Sequence, residues 1–174
     1  MTLYRVQLKN AALQALIAAK TLAGSNVMVD RSLPATPDKL PAILMTAPRD
    51  RAVSTGRNQP GFTRVTTLAI RALLCGVTPA EVSANLDIFA EQIERALMLD
   101  VDLQAMVTQV TSLDTELMIN SATREHTGEV RMLFGLEYIE YYPPAGTPLT
   151  EVTGQMQANG NPDFADMQVP LTLN

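Results

Sequence analysis

The run Thr78-Pro79-Ala80-Glu81 and the twenty residues after it constrain this chain more than any other stretch. Thr78 is a good N-cap and Pro79 suits the first helical position, where its missing N–H costs nothing. Glu81, three residues after the cap, completes a capping box. Val82, Leu86, Phe89, Ala90, Ile93, Ala96 and Leu97 then recur at helical spacing as one apolar stripe over about five turns. Glu91, Glu94 and Arg95 fall on the opposite side, and the pattern ends near Asp100. The spacing predicts a helix with one buried face, which needs another element to lie on.

Alternating segments surround it. In residues 62 to 75, Phe62, Arg64, Thr66, Leu68, Ile70 and Leu74 share one side, and Val65, Thr67, Ala69 and Leu73 share the other. Toward Cys75 both sides become apolar, so that end is expected to be central and covered. Residues 104 to 119 read as a strand with an irregularity near Ser112. Residues 129 to 142 read as another, with Val130, Met132, Phe134, Leu136 and Tyr138 alternating with Arg131, Gly135 and Glu137. The turn SATREHTG between these two implies an antiparallel hairpin.

Upstream, residues 3 to 22 predict a helix, with Leu3, Val6, Leu8, Leu13, Leu16, Ile17 and Leu22 at loose helical spacing among alanines. Gly24 supplies the stop. Val27-Met28-Val29 reads as a short strand, and Pro41 to Thr46 as another closed by Ala47-Pro48. Residues 49 to 61 read as a polar loop rich in turn residues. From Pro143 onward, prolines and glycines replace any sustained pattern, with a short strand expected around Val152 to Gln157. Scattered Leu149, Met156, Phe164, Met167, Val169 and Leu171 are more apolar than a linker requires. The expected architecture is therefore an α+β domain over residues 1–142, followed by an extended C-terminal arm over 143–174. In the domain, a mainly antiparallel sheet of about four strands is packed by two helices.

With 174 residues, a chain buries roughly 70% of its unfolded surface and needs neither metal nor disulfide to fold. Charged residues make up 18%, below the usual ~25%, as expected where other protein covers part of the exterior. The net charge of -5 speaks against a whole-chain nucleic-acid footprint. No apolar run approaches the ~20 residues that span a bilayer. The opening MTLYRVQLKN lacks the pattern of a secretory leader, so a cytosolic compartment is expected.

Sites for chemistry are sparse. Cys75 is the only cysteine and His126 the only histidine, which excludes an intramolecular disulfide or a thiolate metal cluster. A lone cysteine in an apolar run reads as core, and His126, near a turn, as solvated. There is no phosphate-binding glycine loop, HExxH or GxSxG. Asp87, Glu91, Glu94, Asp100 and Asp102 could in principle pair as acid and base or bind a hard cation. Glu91 and Glu94 lie opposite the apolar stripe, so the group reads as a solvated face instead. No catalytic residue, cofactor or metal is expected. The exception is a local basic excess, Arg49, Arg51, Arg57 and Arg64, which reads either as a solubilising loop or as a basic flap that orients an acidic partner.

The order of elements, the phrase TPAEVSANLDIFAEQIERALMLD and the closing VRMLFGLEYIEYY resemble the tail terminator proteins of long-tailed bacteriophages. The most telling pieces are Leu86-Asp87, then Ile93-Glu94-Arg95-Ala96-Leu97, then Leu136-Glu137-Tyr138, within a likeness spanning roughly residues 3 to 142. The resemblance implies a structural virion protein without enzymatic activity. It would form a homo-oligomeric ring of about six subunits on the major tail tube protein, stop tube polymerisation and offer its other side to a head–tail connector. That implies a place in the virion at the head-proximal end of the tail, reached from the host cytoplasm during assembly, with no membrane and no sequence-specific nucleic acid as partner. The arm beyond Tyr142 departs from the shortest members of that family. Three other readings compete: a head-completion or neck subunit, a small enzyme using His126 or a carboxylate pair, and a non-viral binding module that uses the Arg49 to Arg64 segment.

Overall fold

The computed structural model describes residues 3–30, 39–57, 61–120, 126–142, 151–154 and 167–170. The chain divides into two compact units, Met1–Tyr142 and Pro143–Asn174. In the first, the order is α1 (Tyr4–Ala18), β1 (Val27–Val29), β2 (Ala42–Ser54), β3 (Gly61–Gly76), α2 (Pro79–Met98), α3 (Val101–Met106), β4 (Gln109–Asn120) and β5 (His126–Tyr141). In the second, β6 (Glu151–Gly154) pairs antiparallel with β7 (Met167–Pro170). The strand expected near Val152 thus appears as β6, while residues 155 to 157 lie outside the described residues.

The first unit holds a five-stranded sheet in the order β1-β2-β3-β5-β4. Three of its four strand pairings are antiparallel, as expected, but the numbers of strands and helices differ from the expectation. The sheet has five strands rather than about four, and β1 runs parallel to β2. A third helix, α3, occupies residues that were expected to begin a strand at Gln104. Its cause is Asp100, whose side chain accepts a hydrogen bond from the Leu103 N–H at 2.8 Å. An aspartate that reads as the tail of α2 is in fact the cap of a new helix. At α2 Thr78 accepts from the Glu81 N–H as a cap does, while Glu81 accepts from the N–H of Val77, one residue before the cap.

The first half of the polar loop expected over 49 to 61 is instead strand, to Ser54; residues 55 to 57 are not strand, and 58 to 60 lie outside the described residues. β2 runs on through Ala47-Pro48 to Ser54, with its register against β3 shifting between Thr46 and Arg49. Such a bulge is where a strand tolerates a proline, because no ladder hydrogen bond is demanded there. The irregularity expected near Ser112 is also a register shift, between Val110 and Ser112. Helix α1 is shorter than the expected 3 to 22. Lys20 adopts φ 48°, the left-handed conformation that ends a helix, so the chain turns before Gly24.

One core gathers all three helices on one side of the sheet. Leu8, Ala12, Ala15 and Leu16 of α1 join Val82, Leu86, Phe89, Ile93 and Leu97 of α2, and Leu103 of α3. The sheet contributes Ile43 and Met45 from β2, Leu68, Ile70, Ala72 and Leu74 from β3, and Val130 through Tyr138 at alternate positions of β5. The α1 face is built as much from alanine as from leucine; Leu3, Ile17 and Leu22 stay exposed. Gly128 sets how closely α2 approaches: a Cβ there would stand 2.5 Å from Val82 Cγ1 and 2.8 Å from Leu86 Cδ1.

Candidate interaction surface

Since side chains alternate along a strand, the same register that turns Leu68, Ile70, Met132 and Phe134 toward the helices turns their neighbours away. Cross-strand partners place Thr46, Ala69, Leu133 and Asp114 in one row, and Leu44, Arg71, Arg131 and Glu116 in the next, on the second face. No helix among the described residues packs on that face. Leu133 is 41% exposed and Ile139 63%. Val53 and Tyr141 near the β2–β3 turn are also exposed.

Cys75 belongs to this face and is exposed, which overturns its expected place in the core. Apolarity on both sides of β3 suggested two coverings, but the helices supply only one. His126 is the first residue of β5, half-buried and opposite Gly76. Its Nδ1 finds no hydrogen-bond partner among the described residues.

Near the start of β5, the bare face carries an ion cluster. Glu129 accepts from Arg71 Nε at 2.7 Å and Nη2 at 2.9 Å, and from Arg131 Nε at 2.5 Å. The Arg71 hydrogen bonds, helped by Arg131 and opposed by partial burial, hold the Glu129 carboxyl below the usual carboxylate range.

The four arginines expected to act together are separated. Arg64 lies on the helix-side face, beside the first residues of α1, in a polar knot. Its Nη1 donates to Asp50 at 2.7 Å and its Nη2 to the Tyr142 hydroxyl at 3.3 Å, while Thr66 also donates to Asp50. Glu140 stands 2.6 Å from Arg64 Nε, near enough for an ion pair though not aligned as a hydrogen bond. Burial lowers the Arg64 pKa, but the bond to Asp50 and the charges of Glu140 and Asp50 outweigh it, leaving it raised. Arg64 also stands 5.7 Å from the Phe62 ring centroid. Beside it Tyr4 and Tyr138 pack with centroids 4.7 Å apart, and the Tyr4 hydroxyl donates to the Met106 carbonyl, tying α1 to α3. This arginine is occupied in holding β2, β3 and β5 together.

Arg49 and Arg51 point the other way, onto the bare face, where both are exposed and make no ion pair among the described residues. Arg57 is exposed just past the end of β2. The loop reading concealed this division, since only a strand sorts neighbouring residues onto opposite faces.

Sequence reading also missed the far edge of the sheet. Strand β4 is terminal in the sheet order, and its Asp114 and Glu116 are exposed on the same bare face, again unpaired among the described residues. Two acids at i and i+2 in an alternating segment were the available signal. The helix carboxylates stay apart: Asp87, Glu91 and Glu94 are exposed, Asp100 caps α3, and Glu91 lies 3.7 Å from Arg95. No cluster of potential metal ligands occurs among the described residues. No helix among them is long and apolar enough to cross a membrane.

No family model and no curated protein matches the chain. Among solved structures, a chain from the virion of a native gene transfer agent particle is similar at 13% identity, with a TM-score of 0.44. The alignment covers 75% of this chain and 94% of that one, and the likeness is too slight to argue from.

Proposed function

We propose that this chain is a structural virion subunit whose work is contact with other protein subunits, and that it closes a phage-type tail tube as a ring of about six copies. The observation that carries the reading is a sheet clothed by helices on one face only. Its other face presents Val53, Leu133, Ile139 and Tyr141 to solvent beside unpaired charges. Exposed apolar side chains beside unpaired charges suit a face that a neighbouring subunit covers. The phrases around Leu86-Asp87, Ile93 to Leu97 and Leu136 to Tyr138 resemble tail terminators, which is what specifies the assembly.

Termination then follows from asymmetry. A head-to-tail contact whose rotation divides a full turn closes into a ring. One side of that ring docks on the last layer of tube protein, and the other lacks the surface that recruits a further layer and receives the head connector instead. No side chain has a catalytic part in this mechanism.

Mass measurement in solution, followed by negative-stain imaging, tests the reading. A ring of about six subunits is expected; a monomer that persists at high concentration would sink it. Polymerising tube protein with and without this chain then separates a terminator, which caps tube length, from a neck subunit, which leaves it unchanged.

A further inference from the structure

Among the described residues, the sheet of the first unit ends in two open edges of opposite charge. One is β4, terminal along its whole length. The other is the outer half of β2, because β1 covers β2 only at Ile43, Leu44 and Met45. On the bare face, β4 carries Asp114 and Glu116, and the free half of β2 carries Arg49 and Arg51, all four exposed.

We infer that copies of this chain join edge to edge, β4 of one against residues 49 to 54 of β2 in the next, continuing the sheet across the subunit boundary. The inference rests on the ring reading and supplies its contact. Strand direction permits the contact, and charge and backbone groups agree on one register. First, successive antiparallel pairings from β2 to β4 leave those two strands antiparallel to each other. An in-plane neighbour therefore meets β2 with an antiparallel β4, the geometry that a ladder accepts.

Second, charge selects the offset. Both pairs are spaced i, i+2, and antiparallel strands place Arg49 opposite Glu116 and Arg51 opposite Asp114 in the same register. Shifting by two residues leaves only one opposite-charge pair.

Third, the backbone groups fit that register. Thr55 N–H donates to the Gly61 carbonyl, which turns the odd positions of β3 toward β2. Their partners Arg49, Arg51 and Val53 are thus satisfied inward, leaving Asp50, Ala52 and Ser54 facing out. Thr108 N–H donates to the Glu137 carbonyl, which turns the odd positions of β5 toward β4. Asp114 and Glu116 face inward in consequence, and Leu113 and Thr115 face out. The charge-selected register sets Asp50 opposite Thr115 and Ala52 opposite Leu113, outward groups against outward groups. Pro48, which lacks an N–H, limits the ladder on one side.

This contact is head-to-tail, so it propagates around a ring instead of stopping at a pair. The test is a charge-swap mixing experiment on the full chain, read by native mass spectrometry. Arg49→Glu/Arg51→Glu makes both edges acidic, and Asp114→Arg/Glu116→Arg makes both basic. Each double variant alone is expected to need about tenfold or more additional protein to assemble, since like charges now face each other. Mixed one to one, they are expected to restore assemblies in which the two variants alternate, which also shows that both still fold. Variants that assemble alone as the parent does would overturn the edge contact while leaving the ring standing. A mixture that stays monomeric while the parent assembles would do the same. A parent chain that never assembles removes both the ring and the contact.

Discussion

The two faces of one sheet obey different rules in this molecule. Along β3 and β5, even positions carry Leu68, Ile70, Met132 and Phe134, all essentially inaccessible; odd positions carry Ala69, Arg71, Arg131 and Leu133. One set meets helices α1, α2 and α3 and stabilises the fold. The other meets no helix among the described residues and is free to be chosen for contact. Adjacent residues therefore differ in what a substitution should disturb, and strand alternation alone separates the two purposes.

The largest expected effect lies on the covered face. Phe89→Ala should lower stability by about 3–5 kcal/mol, through lost burial and the cavity left under α2, measured by urea unfolding. A loss below about 1 kcal/mol would mean that the helices do not pack as described. Gly128→Val comes next: its side chain must push Val82 and Leu86 outward, at about 1–3 kcal/mol. An unchanged unfolding midpoint would break the claim that this glycine sets the helix–sheet distance.

On the bare face, effects should be smaller and should depend on conditions. The Glu129 carboxyl titrates lower when folded than when unfolded, chiefly because Arg71 donates to it. Its contribution is therefore complete above the ordinary carboxylate range and disappears as pH falls through the depressed folded value. Glu129 is partly solvated, so solvent screening holds this to about 1 kcal/mol or less. Comparing Glu129→Gln with the parent, the stability difference should be present at neutral pH and vanish in strong acid. A difference that grows on acidification would reverse the assignment. Smallest of all, Leu133→Ser should shift unfolding of the isolated subunit by about 0.5 kcal/mol or less, yet weaken assembly if this face is covered in the ring. A large loss of monomer stability would place Leu133 in a buried core instead of on the exposed face.

How much of this was legible beforehand differs by element. Helix α2 was readable almost residue by residue, because Thr78, Pro79, Glu81 and the stripe from Val82 to Leu97 act locally. The alternation along β3 and the antiparallel pairing of β4 with β5 were also readable, since period two is written into the side chains themselves, whereas the exposure of Cys75 was not. Local signals misled where a residue had two possible roles. Asp100 could end α2 or begin α3, and the Arg49 to Gly61 stretch could be a turn-rich loop or an edge strand.

What the sequence by itself determined is the set of amphipathic pieces, together with the absence of familiar catalytic motifs around one cysteine and one histidine. The tertiary structure decided that all three helices crowd onto the same side of the sheet, which exposes Cys75 and leaves Leu133 bare. It also decided that Arg64 is consumed by Asp50, Glu140 and Tyr142 while Arg49 and Arg51 remain unpaired among the described residues. The physical reason is that amphipathicity is a property of a residue's own neighbours in sequence. Covering and edge position depend instead on which distant strands pair, and that information lies in contacts between segments far apart in the chain.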